Sequence, residues 1–237
     1  EWSVPPGCGL EEQFWGMANP ALGTTITMQG LRSAFNGPDK TAFARAHLNQ
    51  WVSAAGSWLG PGLWDTLQTD QPMPPGGVLA VDCSIDNSRY VGVRASSENG
   101  IVHLAVEFTT ASESEMWQEV TRVMRSSSTV VLGITPALAI HIPKEFVRRN
   151  KLWGYKEILT FTGLVRNMIV EERVRHRGET ILAEHVNRAV MTKTVQGAVL
   201  SSQKSPGPIE LTRAMVYAVA MASKSQAPKP FVAVAGG

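Results

Sequence analysis

Gly77-Val78-Leu79-Ala80-Val81-Asp82-Cys83-Ser84-Ile85-Asp86 is an apolar run that stops on an acid and passes directly into turn residues. It reads as a buried strand whose last side chains reach the mouth of a sheet. An antiparallel partner follows at Tyr90 to Ala95, then a turn at Ser96-Ser97-Glu98-Asn99-Gly100 and a third strand from Ile101 to Phe108. A carboxylate at such a strand end is held by rigid backbone and can be presented to a metal ion or a ligand. The competing reading of Asp82 is an Asx-type turn that merely ends the strand.

Working outward, Ser112 three residues before Glu115 is a capping box. It opens a helix with Met116, Trp117, Val120, Val123 and Met124 on one face, reaching about Arg125. Thr129 to Gly133 is short and uniformly apolar, as expected of a central strand covered on both sides. Further on, Pro143 to Asn150 reads as a helix, Ile158 to Phe161 as a strand, and Thr162 to Glu172 and Glu179 to Val190 as helices. Thr192 to Val199 reads as a hairpin. Pro208 to Ser223 is a helix apolar nearly all round, hence largely buried, and 225–237 reads as a disordered tail. Upstream, helices are expected at Leu10 to Trp15, Thr27 to Phe35 and Asp39 to Val52, with Asp39 as N-cap of the last. Residues 56–77, rich in Gly and Pro, read as a linker.

Composition sets wide bounds. The 237 residues are 43% apolar and 18% charged, with net charge +2 and two distant cysteines, Cys8 and Cys83. No disulfide framework or zinc spacing is implied, and a reducing cytoplasm fits. No apolar run approaches the roughly 20 residues that span a bilayer. The chain opens on Glu1 without a methionine, which reads as a fragment or a processed product. Charge is unevenly spread: residues 144–177 hold nine basic side chains against four acidic ones. Arg148, Arg149, Lys151, Arg173, Arg175 and Arg177 are candidate phosphate contacts in this tract, the alternative being a solvated surface.

Strand meander, crossover helix and buried strand, in that order, resemble a ribonuclease H-like nuclease. More specifically, the chain resembles the C-terminal part of the large terminase subunit of tailed bacteriophages. Trp15-Gly16-Met17-Ala18-Asn19-Pro20-Ala21-Leu22-Gly23 followed by Phe43-Ala44-Arg45-Ala46-His47-Leu48-Asn49-Gln50-Trp51 is similar to the segment leaving that family's ATPase domain. Leu79-Ala80-Val81-Asp82-Cys83-Ser84 is similar to its first nuclease strand. Residues 182–187 and 205–214 are similar to the approach to its closing helix. No GxxxxGK[ST] pattern occurs, so the ATP-binding core is not in this chain.

The resemblance implies an α/β fold: a ribonuclease H-like mixed sheet flanked by helices, with a mainly helical N-terminal appendage. It implies residues 1–75 as the tail of an ATPase domain plus linker, 76–224 as the nuclease domain and 225–237 as the tail. The implied activity is sequence-nonspecific endonuclease cutting of concatemeric double-stranded DNA during genome packaging, with two Mg²⁺ or Mn²⁺ ions about 3.5 to 4 Å apart. Portal protein and small terminase subunit are implied partners, and the implied location is the host cytoplasm, transiently at the procapsid portal. Asp82 and Glu210 carry over as catalytic metal ligands, Glu210 standing where the family usually has Asp. The departure is Thr135 in Gly133-Ile134-Thr135-Pro136, where the family commonly places an acid.

Substitute ligands are Asp86 and Glu107, each with a plain alternative as a turn residue or a solvated strand residue. His185 lies on a helical apolar face, where a core role competes with a catalytic one. The lost acid leaves a second function open, a DNA-binding or docking module whose nuclease site has decayed. An actin-like phosphotransferase shares the strand order, but its glycine-rich phosphate loops are missing.

Overall fold

The computed structural model describes residues 2–5, 8, 10–37, 40–50, 57–60 and 62–224. The Asp39 cap, Trp51 and the 225–237 tail lie outside them.

Strand β1 (Val78–Cys83) pairs antiparallel with β2 (Tyr90–Glu98), and β2 with β3 (Ile101–Thr110). The β2–β3 connection is tighter than the sequence reading, because the strand runs on to Glu98 and only Asn99 and Gly100 turn. Both have positive φ, 51° and 82°, which is the backbone of a two-residue primed hairpin turn. Helix α4 (Glu113–Ser126), N-capped by the Ser112 hydroxyl accepting from the Glu115 N–H at 3.3 Å, crosses over to β4 (Val131–Ile134), which lies parallel to β1. Short edge strands complete the sheet: β5 (Asn150–Leu152) beside β4, and β6 (Val174–His176) beside β3. The order is β5-β4-β1-β2-β3-β6, a mixed sheet of six strands.

Alternation along β1 sends Leu79 and Val81 to one face and Val78 and Ala80 to the other. The first face packs on Met116, Val120, Val123 and Met124 of α4, together with Leu138 of the short helix α5 (Pro136–Ala139). The second packs on α6 (Tyr155–Val170), α7 (Thr180–Arg188) and α8 (Glu210–Lys224). Asp82 follows Ala80 in the alternation and faces α8. Helix α8 is buried nearly all round, as its composition requires. It sits so close to the sheet that a Cβ on Gly133 would lie 2.3 Å from the Tyr217 ring, so β4 needs glycine there. A separate hairpin, β7 (Met191–Thr194) with β8 (Gly197–Leu200), packs against α6.

One sequence expectation is corrected, and two short strands are added. Ile158 to Phe161 is not a strand but the second turn of α6, whose first N–H, at Gly154, is accepted by the Glu157 carboxylate at 2.9 Å. A four-residue apolar run has no period of its own, and the spacing of Ile158, Phe161, Thr162, Val165, Met168 and Ile169 decides for helix. The helix expected at Pro143 to Asn150 is present as 3-10 turns over Lys144–Arg149, and β5 and β6, three residues each and not assigned from the sequence, are too short to show a period.

The N-terminal unit, with α1 (Trp15–Ala18), α2 (Met28–Phe35) and α3 (Lys40–His47), has its own small core. Val4, Trp15, Leu31, Phe43 and Leu48 fill it, with the rings of Trp15, Phe35 and Phe43 in mutual contact at 5.2–5.5 Å. Residues 57–60 and 62–69, within the stretch read as linker, pack on the sheet domain. Trp58, Leu59, Trp64 and Leu67 are buried in its larger core. The Trp58 N–H donates to the Ala189 carbonyl, and Trp64 stacks on His176 at 4.1 Å.

His176 is itself buried. Its Nδ1 accepts the Gly178 N–H at 3.0 Å, and its Nε2 donates to the Trp64 carbonyl at 2.8 Å, so the ring is neutral with its proton on Nε2. Burial holds its pKa below the usual histidine value. A histidine depressed in this way stabilises the fold fully above its unfolded pKa of about 6.5 and progressively less as pH falls below it. Relative to His176→Gln, the parent's melting temperature is therefore expected to fall further, or rise less, between pH 7 and pH 5. Parallel pH profiles for the two proteins would rule this out.

Candidate active site

Two buried acids meet at the C-terminal end of β1. Asp82 is 2% exposed and Glu210 9%. The strand delivers Asp82, and the first turn of α8 delivers Glu210. The Asp82 Oδ1 accepts the Cys83 N–H at 2.9 Å. Its Oδ2 accepts from Arg213 Nε at 2.8 Å, with Nη2 2.6 Å away in the same ion pair. Arg213 is fixed in turn by the Ser202 hydroxyl at 3.1 Å and the Cys83 carbonyl at 3.4 Å. Arg89, in the β1–β2 turn, lies 3.8 Å from Glu210 Oε2. Burial lifts the Asp82 pKa to about 6, against the lowering effect of Arg213, and the nearby Glu210 adds to the rise.

Pairing of β1 with β4 runs in register to Val81 and Ile134, so the next residues, Asp82 and Thr135, are side by side on the α8 face. The Thr135 hydroxyl makes no cap bond to α5. It is buried with no hydrogen-bond partner among the described residues, as is Glu210 Oε2. Buried oxygens left unpaired cost stability unless something answers them. Unpaired oxygens beside a carboxylate are the donor set that a hard cation prefers. Asp82, Glu210 and Thr135 thus carry oxygen donors of the kind that a divalent ion takes. Among the described residues no group of three or more His, Cys, Asp or Glu is placed to hold a metal, so the carboxylates stop at two.

The two substitute acids are elsewhere. Asp86 is exposed in the β1–β2 turn. Its Oδ1 accepts from the Ser84 hydroxyl at 2.6 Å and from Ser88 through both hydroxyl and N–H, which depresses its pKa to about 2. It closes its own turn, the plain alternative. Glu107 is on the opposite, α4 face of the sheet, bonded to Arg94 at 2.6 Å with Arg122 of α4 at 3.5 Å. Strand alternation carried it across the sheet from Asp82.

His185 borders the site but serves the helix. Its Nδ1 accepts the Leu211 N–H at 3.3 Å, one of the N-terminal donors that a helix cannot satisfy internally. Burial first, then Arg89 and Arg188, lower its pKa to about 4. The 3.7 Å approach to Glu210 is therefore no ion pair at neutral pH.

The basic tract does not form one surface. Arg148, Arg149 and Lys151 lie at the β5 edge, and Arg173, Arg175 and Arg177 at the β6 edge, five strand spacings away. That is roughly 24 Å at about 4.8 Å per strand. Arg149 is committed to structure: its guanidinium donates to the carbonyls of Met124, Ser127, Ser128 and Val130 and closes the C-terminal end of α4. Only one edge is expected to track DNA, and β5, two strands from β1, is the nearer. Replacing Arg148 and Lys151 together by Ala should flatten the log-log salt dependence of DNA binding by roughly one unit per lost contact. The Arg173 and Arg177 pair should leave it unchanged. Equal loss from both pairs would restore a single continuous tract.

Arg89 and Arg213 were not singled out from the sequence. Arg213 carried a signal: it is three residues after Glu210 on a helix, hence on the same face. Arg89 had none, since a turn residue's reach depends on the turn.

No family model matches the sequence, and no curated protein does. Solved structures are similar to it. The HK97 bacteriophage large terminase aligns with TM-score 0.59 and 17% identity over 92% of this chain and 56% of that one. A second large terminase, from a thermophilic bacteriophage, gives 0.52 and 12%, over 83% and 53%. The large terminase nuclease from thermophilic phage G20c gives 0.51 and 11%, over 73% of this chain and 99% of that one. The chain spans about half the length of the two large terminases and nearly all of the isolated nuclease. At these identities the likeness is one of fold: a six-stranded mixed sheet flanked by helices, as in the large terminases and the large terminase nuclease.

Proposed function

We propose that this chain is the nuclease part of a phage packaging motor, a metal-dependent endonuclease that cuts concatemeric double-stranded DNA without sequence preference. The observation that carries the reading is the Asp82–Glu210 pair, two buried carboxylates brought to one point from a strand end and a helix start, with unpaired oxygens beside them. Arg213 answers Asp82 at close range, whereas Glu210 Oε2 accepts no hydrogen bond among the described residues and meets Arg89 only at 3.8 Å.

Asp82, Glu210 and the Thr135 hydroxyl would hold Mg²⁺ or Mn²⁺. When bound, a divalent ion activates water and stabilises the leaving oxygen in phosphodiester hydrolysis. In that reaction a water oxygen bonds to phosphorus, the bond from phosphorus to the leaving oxygen breaks with its electron pair, and the leaving oxygen takes up a proton. Arg89 and Arg213, at the mouth of the site, attract the phosphate and orient it. The β1 end keeps Asp82 fixed, because Oδ1 is already tied to backbone.

In the same reading, residues 1–56 lead in from an ATPase domain and the nuclease begins near residue 57, ahead of the boundary at 76 that composition indicates. Portal protein and small terminase subunit are the protein partners, and the host cytoplasm, transiently at the procapsid portal, is the place of action. Among the described residues no helix is long and apolar enough to cross a membrane.

Arg213 on Asp82 and the hydroxyl at Thr135 favour one rival, a DNA-gripping or docking module with a decayed nuclease site. Supercoiled plasmid incubated with the chain separates the two. Nicking or linearisation with Mn²⁺ or Mg²⁺, silent in EDTA, is expected. DNA retarded in a gel yet uncut under every divalent ion would establish the rival.

A further inference from the structure

We infer that Arg213 is a fixed cation standing in for a second divalent ion, so that the site takes one ion per chain. This deepens the nuclease reading and rests on it. A carboxylate that bridges two ions gives one oxygen to each. Here Asp82 Oδ2 is given to a guanidinium, held by Nε and Nη2 at 2.8 and 2.6 Å. That guanidinium is no loose surface group, since its Nη1 donates to the Ser202 hydroxyl and its Nη2 to the Cys83 carbonyl. These hydrogen bonds use three of the five N–H groups of arginine, one each from Nε, Nη1 and Nη2, and the second N–H on Nη1 is left for a phosphate oxygen.

Charge leads to the same count. The acids facing the site are Asp82 and Glu210, and the cations facing it are Arg213 and Arg89. His185 is held neutral by the N–H that it accepts. Resident charge is therefore zero before any ion enters. Compared with a site that had a carboxylate at Thr135 and no guanidinium on Asp82, the chain has lost one negative charge and gained one positive. The difference is two units, the charge of one divalent ion. The unpaired oxygens agree: among the described residues, Glu210 Oε2 and the Thr135 hydroxyl, with the remaining lone pairs of Asp82 Oδ1, make one hard-cation donor set.

The test is the number of Mn²⁺ ions bound per metal-free chain, read by calorimetric titration and by the loss of the free-ion paramagnetic signal. One ion per chain is expected. Two would overturn the inference and leave the nuclease reading standing, and none would overturn both. In the Arg213→Gln, Thr135→Asp double variant, two ions are expected, and a count still held at one would overturn the exchange.

Arg213→Gln alone should bind the one ion at least as tightly as the parent, yet cut plasmid about 100-fold more slowly, as when one donor to a developing negative charge is removed. Arg213→Lys should recover part of that loss. An arginine that only blocked Asp82 would behave oppositely, and faster cutting by Arg213→Gln would overturn the proposal. Should that variant fold poorly, the parent's ion count still decides.

Discussion

Asp82→Asn is expected to lose Mn²⁺-dependent plasmid cleavage by about 1,000-fold or more, since a metal-holding carboxylate counts for at least as much as a single transition-state donor. The fold should survive. Asn keeps the acceptor that takes the Cys83 N–H and is nearly the same size as Asp. Burial has already lifted the Asp82 pKa to about 6, so at pH 7 the ionised acid is disfavoured in the folded chain relative to the unfolded one. The sign follows: a carboxyl whose folded pKa is raised adds stability as pH falls through about 6 and detracts above it. Removing the charge at pH 7 relieves that penalty, while Arg213 loses its ion pair. The two effects oppose, and a melting temperature within a few degrees of the parent is expected. Parent-rate cutting by Asp82→Asn would remove Asp82 from the chemistry. Inactivity with a collapsed melting temperature would show only that the fold had failed.

Trp64→Ala should have the largest effect on stability. Trp64 is 1% exposed and lies against His176 on the edge strand β6. Emptying a buried tryptophan site costs about 3–5 kcal/mol, which in a chain of this size lowers the melting temperature by roughly 10 °C. The size of the effect distinguishes two views of residues 57–69. A linker that only passed over the surface would give a change of a degree or two, and that result would return the domain boundary to about residue 76.

Much of the architecture was legible because its signals are local. The meander of β1, β2 and β3 shows in apolar runs punctuated by turn residues, α4 in its capping box, and α8 in a helix without a polar face. Elements that lack local signal were misread. Ile158 to Phe161 is too short to have a period, and β5 and β6 exist only because longer neighbours offer them an edge. Residues 57–69 look like linker since Gly and Pro dominate between the aromatics, whereas burial of Trp58 and Trp64 depends on where the sheet edge lies.

For the site, sequence by itself determined that Asp82 lies near the end of the first strand, that Glu210 opens the last helix, and that Thr135 has no carboxylate to offer. Strand ends and helix starts are set by neighbours in the chain, and these positions followed. Only the tertiary structure decided what surrounds them. It put Glu107 behind the sheet, turned Asp86 into its own loop, separated the two basic clusters to opposite edges, and laid Arg213 on Asp82. Each of these depends on which face a side chain takes and which distant element covers that face. Packing of helices on a sheet fixes both, across a sequence separation of 131 residues in the case of Arg213 and Asp82.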